Sequence, residues 1–175
     1  LSAGAMTPEQ FRRLKAASAL MAYVREDEQV APIQTMLAGH PNFLADFKAV
    51  PGFMSALFPH HPHAGRWREH FEKAMALNLK YHTRPDVAAW QAEGGRWTEN
   101  LGCYVWAALV PMIRAAWCLR RTYGDNPLLY PNLAKLAKWL LNSLSAPRHE
   151  TTRSLLAGLP GYRLPADLSR QAQRR

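Results

Sequence analysis

The chain has 175 residues, which suits one domain or part of a larger protein, and its 48% apolar and 20% charged residues exclude a chain disordered by composition. No apolar run reaches the ~18 residues of a membrane helix, so we predict no membrane partner. Lysine and arginine total 22 against 13 acidic residues, a formal charge of +9. A positive field concentrates anions, which predicts a negatively charged partner, a class to which nucleic acid, anionic lipid and acidic polysaccharide all belong.

The first helix signal is the segment 7–10, which reads Thr-Pro-Glu-Gln. Threonine is a favoured N-cap, proline suits the first helical position, and glutamine three residues after the cap completes a capping box. From there to about Val24, apolar residues recur at helical spacing on one face, namely Phe11, Leu14, Ala17 and Met21. Residues 1–6, which precede the signal, are interpreted as a leader or processing remnant.

Two shorter helices are predicted next, from Val30 to Leu37 and from Phe43 to Leu57, the second with a break at Pro51-Gly52. Residues 58–63 read Phe-Pro-His-His-Pro-His, and two prolines in six residues exclude a regular helix there. Zinc sites prefer ligands held by regular structure and drawn from more than one segment. We therefore interpret this run as a solvated loop and predict no metal site, with metal binding as the alternative.

The second half of the chain predicts longer helices with clear apolar stripes. The segment from Arg66 to about Lys80 carries a stripe formed by Trp67, Phe71, Ala74, Met75 and Asn78. The longest candidate, from Glu99 to Tyr123, should be kinked by Pro111, and its stripe comprises Leu101, Tyr104, Val105, Ala108, Met112, Ala115 and Leu119. A last helix from Leu133 to Leu144 has Leu133, Leu136, Ala137, Leu140 and Leu144 in register.

The predicted fold class is all-α, built from helical hairpins, because no strand-like alternation of any length appears in the sequence. The folded domain is expected over residues 7–147, and residues 148–175 are expected to form short helices and a basic tail. Cys103 and Cys118 would lie ~22 Å apart on one helix, which is too far for a disulfide. We interpret them as two buried thiols.

Two glycine-containing turns precede candidate site residues. Residues 94–95 are Gly-Gly and lead to Arg96, Trp97 and Glu99, and Glu99 should lie near the positive end of a helix dipole. By ideal geometry Tyr104 lies roughly 140° from Glu99, so spacing alone favours a helix-terminal carboxylate and a core aromatic.

The other turn, residues 39–41, places His40 and Asn42 on either side of a proline. Spacing favours Asn42 as a helix N-cap and His40 as an exposed loop residue. Among six tryptophans, Trp97 is the best candidate for a sugar-stacking platform, whereas Trp117 and Trp139 are expected in the core.

Three blocks in one order, residues 39–46, 57–67 and 94–104, resemble the helical domain of heparinase II/III-type and related alginate lyases, and the resemblance spans about residues 7–147. It implies part of an (α/α) toroid that faces a β-sandwich domain, β-elimination on a uronic-acid polysaccharide without a cofactor, and a periplasmic or secreted location. No counterpart of the β-sandwich occurs in these residues, so binding is expected to survive and turnover to be weak or absent.

The resemblance also implies roles for individual residues. Asn42 would neutralise the substrate carboxylate and Tyr104 would transfer the proton, with Glu99 as the carboxylate before it. His40, Arg96 and Trp97 would lie on the rim and bind substrate. A tyrosine needs a cationic neighbour to act as a base near neutral pH, and Arg96 is the local candidate. The family often has histidine directly after the asparagine, where this chain has Phe43.

A second interpretation comes from a different class: a non-enzymatic basic helical module that binds nucleic acid or an acidic protein. Lysines and arginines are scattered along the chain, without a dense basic helix or an RNA-type aromatic motif. The specific signal for nucleic acid is therefore weak, although the net charge suits it.

Overall fold

The computed structural model describes residues 6–83, 97–99, 103–124 and 131–142. These residues contain six helices and no strand: α1 Pro8–Glu26, α2 Ile33–Gly39, α3 Pro41–Leu57, α4 Ala64–His82, α5 Tyr104–Tyr123 and α6 Pro131–Asn142. The predicted all-α class is confirmed. The predicted turn at residues 94–95 and the basic tail from 148 to 175 lie outside the described residues. None of the described helices has the length and apolar character needed to cross a membrane.

The capping box predicted at the start of α1 is present. The Thr7 hydroxyl accepts a hydrogen bond from the Gln10 backbone N–H at 3.2 Å, and the Gln10 side-chain oxygen accepts one from the Thr7 N–H at 2.7 Å. Both bonds satisfy backbone donors that the first helical turn leaves without partners.

The predicted break in α3 is wrong, because the helix runs through Pro51 without interruption. Both Pro51 and Gly52 are buried, and Gly52 lies against the ring of Phe71 on α4. A methyl group added at Gly52 would come within 2.8 Å of that ring. Glycine, which has no side chain, permits this close approach of α3 and α4, and the segment is helical despite two residues of low helix propensity.

The predicted stripe of α4 is confirmed in full, since Trp67, Phe71, Ala74, Met75 and Asn78 are all buried. On α5, five stripe members are also buried, namely Val105, Ala108, Met112, Ala115 and Leu119. Two details differ: α5 begins at Tyr104 rather than at Glu99, and Tyr104 is exposed. The helix ends at Gly124, whose φ of 78° lies in the left-handed region that glycine adopts without strain.

α3 is the central helix, packing against α5, α4, α1 and α2. The main core forms between α3, α4 and α5, and α6 adds Leu136, which is fully buried. Leu133 and Leu140 pack against the same core, as the register of α6 predicted, and so does Trp139, which was expected in the core, but Ala137 of that register is exposed. Leu144 lies outside the described residues.

Two expectations about local environment are wrong. Residues 58–63, which we call the histidine loop, are not uniformly solvated, since His61 and His63 are half-buried and the His61 ring stacks on Trp67 at 4.5 Å. Cys103 is exposed at the N-cap of α5 and Cys118 is half-buried, so they are not two buried thiols. Both cysteines are free, as expected.

Candidate functional site

Most of the predicted site residues come to one end of the helical bundle. α3 and α5 run parallel, because Ser55 and Tyr123, near their C-terminal ends, share a hydrogen bond of 3.0 Å. α4 runs antiparallel to both, since Asn78 near its end donates to the Pro41 carbonyl at 3.0 Å. The starts of α3 and α5 and the end of α4 therefore share an end of the bundle. We call it the polar end, formed by His40, Asn42, His82, Glu99 and Tyr104.

His82 joins the segments of the polar end, and sequence reasoning missed it. Its ring is buried, with Nε2 2.8 Å from the Leu37 carbonyl oxygen and Nδ1 2.6 Å from the Thr98 hydroxyl. A signal was available, because His82 continues the α4 stripe one turn after Asn78. A histidine on a buried stripe needs hydrogen-bond partners, so this position predicts a polar connection.

Asn42 and His40 lie at the junction of α2 and α3. His40 is the N-cap residue of α3 and Pro41 its first residue, so the expectation that Asn42 is the N-cap is wrong. Proline is favoured at the first helical position because its φ is already helical and it lacks the N–H that would stay unpaired. Asn42 is half-buried in the first turn, and His40 is exposed with its ring 5.3 Å from that of Phe43.

Glu99 and Trp97 contact each other, and Trp97 does not line an open cleft. The Trp97 indole N–H donates to the Glu99 carboxylate at 3.1 Å. Trp97 is only 1% exposed and belongs to the main core, so its predicted place on the rim is wrong: its ring packs beside His82 instead. α5 begins five residues after Glu99, so the prediction that Glu99 lies in the first turn of this helix is wrong. Arg96 lies outside the described residues.

Tyr104 and Asn42 share the polar end but are not level with each other. The pairing of Ser55 with Tyr123 sets the register of the two parallel helices, and Tyr104 then lies roughly 10 Å further along the bundle axis than Asn42. Tyr104 is 47% exposed and its phenol is available to a ligand.

A cavity of about 690 Å³ opens elsewhere, between the C-terminal turn of α1 and the N-terminal half of α4. Its walls include Tyr23, Glu28, His63, His70 and Lys73. Glu26, also in the wall, is buried and forms an ion pair with Arg66. The walls carry both charge signs, so the cavity does not have the uniformly positive lining that would suit a polyanion.

Buried Lys48 on α3 organises the charges next to this cavity. Its ammonium donates to the Arg25 carbonyl at 2.8 Å and lies 3.5 Å from the Glu28 carboxylate. Burial lowers the pKa of Lys48, with Glu28 opposing the shift. Burial, with Lys48 as the next cause, lowers the pKa of His70 to about 4, although Glu28 lies 3.5 Å from its ring.

No group of three or more histidine, cysteine or acidic side chains in the described part of the chain has an arrangement that would hold a metal ion. The histidine loop instead contributes to an aromatic cluster. The Tyr23 ring lies 4.8 Å from His63 and 5.3 Å from Trp67, in edge-on geometry. These contacts fix the loop against α1 and α4 and give its histidines a packing role.

Comparison with known proteins finds no matching family model, no similar curated protein and no similar solved structure. The likeness to heparinase II/III-type lyases therefore rests on the sequence blocks described above.

Proposed function

We propose that this chain is a helical domain that binds an anionic, uronic-acid-containing polysaccharide at the polar end. The observation that carries the proposal is that Asn42 and Tyr104 share one end of the bundle with exposed His40. An amide, a phenol and an imidazole are suitable hydrogen-bond partners for sugar hydroxyls and carboxylates. The net charge of +9 favours an acidic polymer over a neutral one.

The offset of roughly 10 Å between Asn42 and Tyr104 favours binding over catalysis by this domain alone. β-Elimination needs the carboxylate neutraliser and the proton-transfer group at one sugar ring, since both act on one developing enolate. Because the offset exceeds the length of one sugar ring, Asn42 and Tyr104 would contact neighbouring rings, where they contribute affinity and fix the position of the polysaccharide along the site. We therefore propose turnover only where a further domain supplies a second catalytic group, as the lyase resemblance implies.

The test compares defined alginate oligosaccharides with single-stranded DNA of equal charge by isothermal titration calorimetry at low and high salt. We expect preference for the uronate polymer, and about a tenfold loss on Tyr104→Ala or Asn42→Ala, the loss of about 1.4 kcal/mol that one to two hydrogen bonds supply. Tyr23→Phe is the control, because its exposed ring lies beside the cavity and not at the polar end.

The alternative, a basic module for nucleic acid or an acidic protein, predicts a different result. Binding by charge alone releases counterions from any polyanion, so affinity would fall steeply with salt and would show little preference among DNA, heparin and alginate. It would also be unaffected by Tyr104→Ala. That combination of results would reject the polysaccharide proposal.

A further inference from the structure

α5 carries a second apolar stripe on the side away from its buried face. Four large side chains lie on it: Trp106 is 42% exposed, Val110 38%, Ile113 37% and Trp117 50%. At 100° per residue they fall within about 60° around the helix, and well away from the side formed by Ala108, Met112 and Ala115. Trp117 was expected in the core, so this stripe was not foreseen from the sequence.

The stripe is symmetric about its own centre. Trp106 and Trp117 lie at its two ends, Val110 and Ile113 lie inside them, and both pairs share a midpoint between Pro111 and Met112. An interface with two-fold symmetry needs such a self-complementary surface, because each residue meets its mate from the other end. When two copies of α5 are laid antiparallel, tryptophan meets tryptophan and a β-branched residue meets a β-branched residue.

The positive charges favour the antiparallel over the parallel arrangement. The last turn of α5 holds Arg120 and Arg121, whereas its first turn, from Tyr104 to Ala107, holds no charged residue. Parallel pairing would place the Arg120 and Arg121 side chains of both copies together, whereas Arg114, exposed beside the stripe, lies near Arg114 of the second copy in either arrangement and does not distinguish them. Antiparallel pairing places Arg120 about 25 Å from Arg120 of the second copy, beyond the screening length of ~8 Å at physiological salt.

We propose that this stripe is an interface for a second copy of the chain, in which α5 pairs antiparallel with α5. The four side chains expose roughly 400 Å² per copy, so the pair buries less than the ~1,200 Å² of stable interfaces. The dimer is therefore transient. It is independent of the proposed polysaccharide site, since Tyr104 points roughly 150° away from the stripe.

Salt separates the two proposals. Each copy carries +9, so self-association works against mutual repulsion and strengthens as salt screens it. Polyanion binding weakens under the same change. A failure of one proposal therefore leaves the other testable.

Sedimentation equilibrium of the full chain tests the dimer. We expect a monomer–dimer equilibrium that the double variant Trp106→Gln/Trp117→Gln weakens at least tenfold. The control is Leu20→Gln/Leu57→Gln, which alters two side chains that are 62% and 63% exposed on other helices and should leave the equilibrium unchanged. Circular dichroism verifies that both variants keep their helices. A wild-type chain that stays monomeric, or a dimer that the tryptophan variant leaves intact, overturns the proposal.

A disulfide trap tests the direction of pairing. In the antiparallel register, exposed Cys103 lies beside Arg121 of the second copy, because the two-fold axis brings together residues on the same side of the stripe, and both lie about 50° from its centre and about nine residues from its midpoint. In a Cys118→Ser background, Arg121→Cys should give an oxidised dimer that joins Cys103 to the introduced cysteine, as peptide mapping would show. A Cys103–Cys103 bond formed without that substitution would indicate parallel pairing and overturn the arrangement.

The same tryptophans provide a check against a membrane surface as the occupant. Co-sedimentation with vesicles of anionic phospholipid measures that contact directly. A chain that remains monomeric but binds vesicles, and loses that binding on Trp106→Gln/Trp117→Gln, would overturn the dimer and assign the stripe to lipid.

Discussion

α1 and α4 have the same length, 19 residues each, and very different environments. α4 buries eight of its side chains, six of them apolar, whereas α1 buries only Ala22 and Glu26. The apolar residues that predicted a face on α1, among them Phe11, Leu14 and Met21, are 39–46% exposed. Helical spacing thus indicates a helix with an apolar side, but not whether another element covers that side.

The two helices are also held in different ways. α4 is fixed by apolar packing against α3, whereas α1 is attached mainly through its C-terminal half by polar and aromatic contacts. The Arg25 guanidinium lies 3.4 Å from the Phe47 ring centre, Lys48 donates to the Arg25 carbonyl, and Glu26 pairs with Arg66. Such contacts orient a helix but contribute less stability than buried apolar surface.

The largest expected effect separates the two helices directly. Phe71→Ala on α4 should lower the free energy of unfolding by about 3–5 kcal/mol, because it leaves a cavity where the ring is 1% exposed. Phe11→Ala on α1 should change it by no more than about 0.5 kcal/mol. Urea unfolding followed by circular dichroism gives both values. Equal losses would mean that the outer face of α1 is covered in solution.

The contact between α3 and α4 gives the second prediction. Gly52→Ala should destabilise the fold by about 1–3 kcal/mol, since the added methyl group would meet the Phe71 ring at 2.8 Å. Gly65→Ala is the matched control: Gly65 is also helical, has no heavy atom within 4 Å of the added methyl group, and should gain about 0.5 kcal/mol.

Phe71→Leu identifies the cause of the Gly52→Ala effect. If the ring is what the methyl group meets, the penalty of Gly52→Ala should shrink in the Phe71→Leu background, and the double-mutant cycle should show coupling. Additive losses would instead assign the effect to the backbone of α3.

The core of the fold was predictable because several signals agreed there. The stripes of α4 and α5 have the 3.6-residue period of a buried helix face, and the helices form where that period predicts them. The continuity of α3 was not predictable from local rules. Proline and glycine at 51–52 usually interrupt a helix, and the burial of both residues in the packed α3 depends on neighbours that the local sequence does not contain.

The candidate site was less predictable, because its residues depend on which side of a helix meets a neighbour. Trp97 and Trp117 exchanged their expected roles: Trp97 is buried beside His82, and Trp117 is half-exposed. Trp97 follows a glycine turn and Trp117 lies on an apolar helix, and neither sequence context indicates whether the side chain is exposed. The burial of Lys48 has a clearer sign in the sequence, since Lys48 lies four residues from both Leu44 and Gly52, which are buried on the same side of α3.

A smaller effect concerns pH, in the region that joins α1 to α4. His70 keeps its ring neutral in the folded chain down to a pKa of about 4, below the ordinary 6.5, so the unfolded chain binds more protons in between. Stability should therefore be fully present above pH 6.5 and fall as the pH drops towards 4. Partial solvent screening reduces the loss to on the order of 1 kcal/mol.

The His70 contribution is measured as a difference between variants. His70→Gln should remove that part of the pH dependence, while His40→Gln, at an exposed position, should retain it. Chemical denaturation between about pH 4 and 7 provides the comparison. A wild-type slope that survives His70→Gln would assign the acid sensitivity to other groups.

The smallest effect on global stability is expected at the start of α1. It tests whether α1 and α4 unfold independently of each other. Thr7→Ala removes the hydroxyl that accepts from the Gln10 N–H, a loss of about 1 kcal/mol for the helix itself. Because the N-terminal half of α1 contributes no buried residue, this loss should appear as local fraying and not as global unfolding. Amide hydrogen exchange should accelerate over residues 10–16 and stay unchanged in α4.

Gln10→Ala, which removes only the reciprocal bond to the Thr7 N–H, should give a smaller acceleration over the same residues. Thr7→Ala could instead lower the global free energy of unfolding by its full ~1 kcal/mol. That result would mean that α1 unfolds in one cooperative transition with the core that contains α4.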